Sequence, residues 1–397
     1  MIENNKNKIL IISNYFPPEK GAASNRIFNM ANSINSTVNS DVSVLCPLPN
    51  YPEGKIFSGY RSKLYKTENI EGINVNRIWT YSSNSKNAIL RLISMISFGI
   101  GIWLLLPKFI FKKYDKVIIQ SPPLVSSYMA IVLFKLIGVK IYLNISDLWP
   151  LSAYELGVIG KGKFYSILEW IEKRMYSKAD YIVGQSNEII NHVNNFTNVP
   201  KLLYRNLPKI NNEKFKNLEI SNPNRKIKIL YAGLIGVAQG IIDICENVNF
   251  IDNGFEFHIY GMGNEVNELK EYLISNPNKD IFFHGSLERS KLIQEFDKYD
   301  ISLIPLKQRI HGAVPSKLFE MISFNIPILF MGGGEGADIV SKYKIGNIVS
   351  PNDFEKLNDI LKRLDLYKLK EHQNNLVTCR NIFSYKLQEQ KLLELFN

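Results

Sequence analysis

Cysteine is scarce in this sequence: three in 397 residues, Cys46, Cys245 and Cys379, far apart along the chain. That excludes a disulfide scaffold and a Cys-rich metal site, and makes a reducing setting the simpler reading. Histidine is also sparse, and the five present (His192, His258, His284, His311, His372) show no ligand spacing. HExxH, CxxC, GxSxG and Asp-x-Asp patterns are all missing, so no metal site is expected and no cofactor is implied. Long apolar runs are missing as well. The uncharged stretch 92–106 covers about 15 residues, short of the roughly 20 that a spanning helix needs. The start, MIENNKNK then ILIIS, has an apolar run of only about five residues and no A-x-A-like site, so no signal peptide is expected. Acidic residues are outnumbered: Lys+Arg 48 against Asp+Glu 37, net +11. Such an excess suits an anionic partner, whether nucleic acid, anionic lipid or a phosphorylated substrate. The basic residues are spread out and no nucleic-acid module is visible, so a nucleic-acid partner is not expected.

What is present is a rhythm. At 45% hydrophobic residues the chain can bury large cores, and its length suggests two to three domains. Strands are predicted at 8–13, 42–46, 75–79, 117–121, 140–145 and 181–186, with helices at 22–36, 89–112, 124–137, 163–177 and 188–195. Apolar strands spaced by helices predict a parallel sheet covered on both faces. From 206 to 225 the sequence turns polar, with Pro208 and Pro223, and reads as a linker. The rhythm then restarts, with strands at 227–232, 255–260, 281–284, 301–305, 326–330 and 347–349. Helices follow at 241–250, 265–274, 291–298, 316–324, 337–343 and 354–364. The expectation is an α/β protein of two Rossmann-like, doubly wound domains, 1–205 and 206–383. A last helix in 384–397 could pack back onto the first. Such domains facing each other leave a cleft at the carboxyl ends of their strands, where helix N-termini receive ligands.

Five strand-to-helix loops could carry chemistry. NYFPPEKGAASN, 14–25, ends in Gly21, Ala22 and Ala23, which let a backbone approach a ligand beside free helix N–H groups; Asn25 and Arg26 follow. NISDLWP, 144–150, sets Asp147 at a sheet edge, as a catalytic group or as a turn residue. GLIGVAQG, 233–240, could receive a phosphate on Gly233 and Gly236, but lacks the Lys and Ser/Thr of a P-loop. GMGNEV, from Gly261, is a partial dinucleotide fingerprint whose third Gly is Val266. GAVPSKLFE, 312–320, offers Ser316 and Lys317 at a helix start, with Glu320 on the same face, able to accept two ribose hydroxyls. GGGEGAD, 332–338, is either a flexible turn or a close approach to a ligand.

At GAVPSKLFEMISFNIP the sequence resembles glycosyltransferase family 4, the retaining GT-B enzymes that use nucleotide-sugars. NYFPPEKGAASNRI, VLCPLPNYPEGKIFSGY, QSPPL, ISDLWPLSA, YAGLIGVAQG and VPSKLFE extend that resemblance over nearly the whole chain. They look like the bacterial branch that holds N-acetyl-L-fucosamine transferase, which serves O-antigen and capsule synthesis on a polyprenyl lipid. The resemblance implies a UDP-sugar donor held by Gly233, Gly236, Gln239, Gly261, Gly285, Pro315, Ser316, Lys317, Leu318 and Glu320. It implies catalytic positions at Asp147, Gly312 and Lys317, and an acceptor side at Gly21, Ala22, Asn25 and Arg26. The sequence departs from the family's pattern at three places. The first of its two glutamates falls on Gly312, its loop Arg and Lys on Leu234 and Gln239, and its His on Ser146. The implied partners are a nucleotide-sugar, a polyprenyl-diphosphate-linked acceptor and the inner membrane surface. The implied location is cytoplasmic, peripheral on the inner face of the cytoplasmic membrane. The segment 89–113, flanked by Arg91, Lys108, Lys112 and Lys113, would be an interfacial helix or a buried core helix. A sugar-nucleotide epimerase of the same fold, or a non-catalytic partner subunit, is the alternative.

Overall fold

The strands form where β-branched apolar residues are dense enough to be buried on both faces. A computed structural model describes residues 6–36, 40–83, 88–210, 217–220, 222–277 and 279–396. Within the expected linker, 211–216 and 221 lie outside the described residues. Two units are present: Met1–Asn206 with His311–Ala313 and Lys386–Asn397, and Leu207–Ile310 with Val314–Tyr385.

The strands of the first unit are β1 (Asn7–Ile12), β2 (Ser40–Pro47), β3 (Tyr65–Ile70), β4 (Ile73–Ile78), β5 (Lys116–Ser121), β6 (Lys140–Ile145), β7 (Tyr181–Gly184) and β8 (Lys201–Leu203). They make one sheet in the order β3-β4-β2-β1-β5-β6-β7-β8. Every pairing is parallel except the hairpin β3–β4. Its helices are α1 (Ala22–Asn35), α2 (Ala88–Leu104), α3 (Leu106–Lys112), α4 (Leu124–Leu136), α5 (Leu151–Glu155), α6 (Lys163–Lys178) and α7 (Asn187–Asn194). One core holds Ile119, Phe134 and Leu143; a second holds Ile9, Ile27 and Val44.

The second unit is built from β9 (Ile227–Leu234), β10 (Phe255–Met262), β11 (Ile281–Phe283), β12 (Ile301–Pro305), β13 (Ile328–Met331) and β14 (Gly346–Val349), in the parallel order β11-β10-β9-β12-β13-β14. Its helices are α8 (Ile241–Asn247), α9 (Val266–Ser275), α10 (Arg289–Glu295), α11 (Ser316–Ser323), α12 (Glu335–Tyr343), α13 (Phe354–Arg363) and α14 (Leu366–Ile382). The last helix, α15 (Tyr385–Phe396), joins the first unit from Lys386 onward. There Gln388 accepts from the Arg205 N–H at 2.7 Å and donates to its carbonyl at 2.9 Å, and Phe396 packs on Tyr142. The three cysteines are buried free thiols.

The segment 89–113 is not one helix. α2 and α3 meet at a 48° bend, because Pro107 in the first turn of α3 has no N–H to continue the helix. No single described helix is long and apolar enough to cross a membrane. α2 buries Phe98 and Ile102 and leaves a stripe of Ile89, Ile93, Ile96, Ile100 and Leu104 exposed, at helical spacing. Two of the basic flanks are not free for a headgroup, contrary to expectation. Lys108 binds Asn76 at 2.9 Å and also Tyr65, and Lys112 binds Ser43 at 3.1 Å, so polar groups of β4, β3 and β2 hold the two; Lys113 is exposed.

Candidate functional site

In the second unit the site residues gather where β9, β10 and β12 end. Pro315 precedes α11 with φ −59° and ψ 127°, and no side chain caps the helix. Its second residue, Lys317, turns back over the sheet edge. Its Nζ lies 4.6 Å from the centre of the Tyr231 ring. A β-carbon on Gly233 would overlap that Nζ, so glycine is what admits the ammonium. Burial lowers the Lys317 pKa to about 8, against the pull of the Glu320 carboxylate. One turn on, Glu320 holds Arg289 Nη2 at 2.7 Å. Gly261 lies so close to Gly233 that a side chain would overlap the Gly233 carbonyl, and the Gly261 N–H donates to Gly285 O at 2.9 Å. Gly236 borders Asn264, and the Gln239 Oε1 beside it is buried without a partner among the described residues. Lys307, ion-paired with Asp243, packs on Gly240.

Leu318 is a correction. Its side chain is fully buried in the core and its N–H donates to Pro315 O at 3.0 Å, so neither is open to a ligand. Arg289 and Lys307 were not singled out from the sequence. Each stands alone in a loop or first helical turn, with no motif around it, and only the fold brings it to this edge.

In the first unit, burial raises the Asp147 pKa to about 6 against the opposing charge of Arg26. Its carboxylate has no hydrogen bond or ion pair among the described residues. Arg26 itself is a second correction: it faces no ligand. It is buried and donates to Ser146 Oγ and Asn144 Oδ1, both at 2.8 Å, and to Tyr204 O at 3.1 Å. It thereby fixes the loop that carries Asp147. Asn25, by contrast, is exposed on α1, and Gly21 and Ala22 are open at its start. Gly312 is the third correction. It has φ +80°, its N–H donates to Glu188 Oε2 at 2.7 Å, and its carbonyl accepts from Ser186 Oγ at 2.7 Å. A β-carbon would stand 2.8 Å from Ile189, so this position packs against α7 and offers no catalytic group. Neighbouring His311 pairs with Glu155. Among the described residues, no group of three or more His, Cys, Asp or Glu side chains is placed to hold a metal.

Two Rossmann-like units, each with its small-residue loops at the carboxyl ends of parallel strands, define a GT-B fold. Residues 212–378 match the family described as glycosyl transferases group 1. The chain is therefore a glycosyltransferase. It is 24% identical over 300 residues to a protein of Escherichia coli (strain K12) provisionally named colanic acid biosynthesis glycosyl transferase WcaI, covering 71% of this chain and 73% of that protein. Among solved structures it resembles the sucrose-phosphate synthase of Thermosynechococcus elongatus, with a TM-score of 0.71, 11% identity, and 98% of both chains covered. It also resembles Anabaena HepE in complex with UDP-glucose, with a TM-score of 0.64, 12% identity, and 98% of this chain and 99% of that one covered.

Proposed function

We propose that the chain is a retaining transferase that moves a sugar, N-acetylated and deoxy or amino in type, from a UDP-sugar to a polyprenyl-diphosphate-linked saccharide in surface polysaccharide synthesis. The observation that carries this reading is the meeting of Lys317, Gly233 and Glu320 at one sheet edge of a group 1 glycosyltransferase domain. Lys317, in the room left by Gly233, meets the diphosphate together with the N–H of Gly236 and the start of α11. Glu320 accepts the two ribose hydroxyls, and Arg289 holds its carboxylate in place. In the reaction the bond between the sugar's anomeric carbon and the β-phosphate oxygen breaks as the acceptor hydroxyl bonds to that carbon. The acceptor's proton passes to the leaving phosphate. The protein's work is positioning and stabilisation of the charge on UDP, and no metal is needed for it. Asp147 lies on the acceptor side with Gly21 and Ala22.

We also propose that the enzyme is peripheral on the cytoplasmic face of the membrane. The exposed stripe of α2 supports this, together with exposed Phe164, Ile167 and Trp170 on α6. Exposed Lys113, Lys161 and Arg174 supply positive charge on the same unit.

The test of the donor site is Glu320→Gln. Hydrogen bonds to a carboxylate are worth about 1.5–3 kcal/mol each, so kcat/KM for the UDP-sugar should fall at least about tenfold. Equal kcat/KM for the variant and the wild type would overturn the assignment.

A further inference from the structure

The first unit holds a pocket with the makings of an anion site. It is a cavity of about 240 Å³ between the loop after β1, the start of α1 and Tyr51. α1 begins at Ala22 with no side-chain cap and no acidic residue in its first turn. The first bond inside the helix is Asn25 N–H to Gly21 O at 3.0 Å, so the N–H groups of Ala22, Ala23 and Ser24 are left over. Ser24 lines the cavity and is only 2% exposed, yet its Oγ has no hydrogen-bond partner among the described residues. A buried hydroxyl without a partner costs free energy unless a ligand or water completes it. Lys20 stands exposed on the wall.

One acidic group also lines the cavity; burial raises its pKa, and its two oxygens are engaged by backbone N–H groups. Glu19 Oε1 accepts from the N–H groups of Asn50 and Tyr51 at 2.8 and 2.9 Å, and its Oε2 from Phe16 N–H at 3.3 Å. Tyr15 and Tyr51 meet edge to face, with ring centres 5.3 Å apart, and form an apolar wall. Tyr15 also feels the charge of Arg91, which sits on α2 two residues beyond Ile89, the first of the exposed stripe. The cavity and the apolar stripe belong to the same unit. At about 240 Å³ the cavity falls below the size that encloses a whole drug-sized ligand. It suits a headgroup whose remainder lies outside.

We propose that this pocket binds the diphosphate of a lipid-linked acceptor, on the N-terminal N–H groups of α1, Ser24 Oγ and Lys20. The assignment to an acceptor rests on the transferase reading above. The chemistry it recognises, a diphosphate, is shared with the leaving nucleotide, so the test separates the two. Binding of farnesyl diphosphate, farnesol and UDP to the full-length protein is measured by calorimetry. Three proteins are compared: wild type, Lys20→Gln and Ala22→Glu. Glutamate is well tolerated in a first helical turn, so Ala22→Glu should keep its melting temperature while setting a negative charge in the pocket. The expected result is that farnesyl diphosphate binds, farnesol binds at least tenfold more weakly, and both variants lose tenfold or more for farnesyl diphosphate with UDP affinity unchanged. Unchanged farnesyl diphosphate affinity in Ala22→Glu, or equal binding of farnesol, would overturn the site. An equal loss of UDP binding in both variants would assign the pocket to the nucleotide instead. Failure of the wild type to bind UDP would count against the donor reading alone, because the farnesyl diphosphate arm is read separately.

Discussion

At the donor site proposed above, Lys317 should make nucleotide binding depend on pH in a direction that its surroundings fix. Its amine is enclosed above Tyr231 and titrates at about 8, well below an exposed lysine. A diphosphate placed on it favours the charged form and returns the pKa toward its ordinary value. Below pH 8 the amine is charged with or without ligand, and affinity is flat. Above pH 8 the free protein must take up a proton to bind. UDP affinity then falls by up to about tenfold per pH unit, about 1.4 kcal/mol each. At pH 8.5 about three-quarters of the free amines are neutral, so each binding event takes up roughly 0.75 proton. The phosphate of UDP itself has finished titrating by then. Calorimetry with UDP between pH 7 and 9.5, in HEPES and in Tris, reads both affinity and proton uptake. Stability without ligand has the opposite sign. Between pH 8 and the unfolded pKa the unfolded chain binds more protons, so the free fold gains stability as pH rises, by about 3 kcal/mol at most. Lys317→Met should remove both slopes. A wild-type affinity that stays flat to pH 9.5 with no proton uptake would refute the placement of the ammonium at the diphosphate, as would the same slope in Lys317→Met.

Three further outcomes are expected. Turnover should survive EDTA; activity lost with EDTA and restored by Mg²⁺ or Mn²⁺ would reveal a metal role. The wild type should float with anionic liposomes at low salt, and the triple change of Ile93, Ile100 and Leu104 to Ser should abolish this with the melting curve intact, since each buried side chain contributes about 1.5–3 kcal/mol; wild type left in the soluble fraction would defeat the membrane reading. Asp147→Asn should cut kcat and remove a rise in kcat/KM through pH 6, yet raise the melting temperature at pH 7.5. Its raised pKa means the native carboxyl holds its proton more tightly than the unfolded one, so charge at pH 7.5 costs the fold about 2–3 kcal/mol. A lower melting temperature in the variant would contradict that sign.

All the parallel strands but β8, which is only three half-buried residues, were legible because each is a compact apolar run, and β6 and β12 fall at the expected residues. β3 was not, because Tyr65–Ile70 alternates exposed and half-buried residues with Lys, Thr, Glu and Asn among them, as an antiparallel edge can. α14 was missed too: Leu366–Ile382 distributes its apolar residues around the helix, which blurs the period. In the site, the loops were legible as small residues before a helix start, yet the role of each residue was not. Arg26 reads as a free cation beside a glycine loop; only the fold shows it buried on Ser146, Asn144 and Tyr204. Gly312 reads as an open loop glycine, whereas α7 covers it.

The positive charge at the nucleotide edge follows the same logic. The end of β9 and the loop after it carry Leu234 and Gln239 where the resemblance would have Arg and Lys, and Leu234 is 58% exposed, with Val237 at 61% and Met262 at 65%. With no cation at either position, the proposed diphosphate site depends on other elements. Lys317 reaches the edge from α11, and Gly233 keeps the space that its ammonium needs. Lys307 reaches it from the end of β12, its backbone N–H donating to Ala238 O at 3.0 Å. The two lysines differ in electrostatic state. Lys307 is neutralised by Asp243, while Lys317 has only the more distant pull of Glu320, itself engaged by Arg289. The cation whose charge is least compensated is therefore the buried one, whose protonation a phosphate can change. On the proposed donor site, charge recognition at this edge therefore centres on a single lysine, and exchanging it for arginine, which stays charged, should remove the pH dependence of binding without restoring the fit beside Gly233.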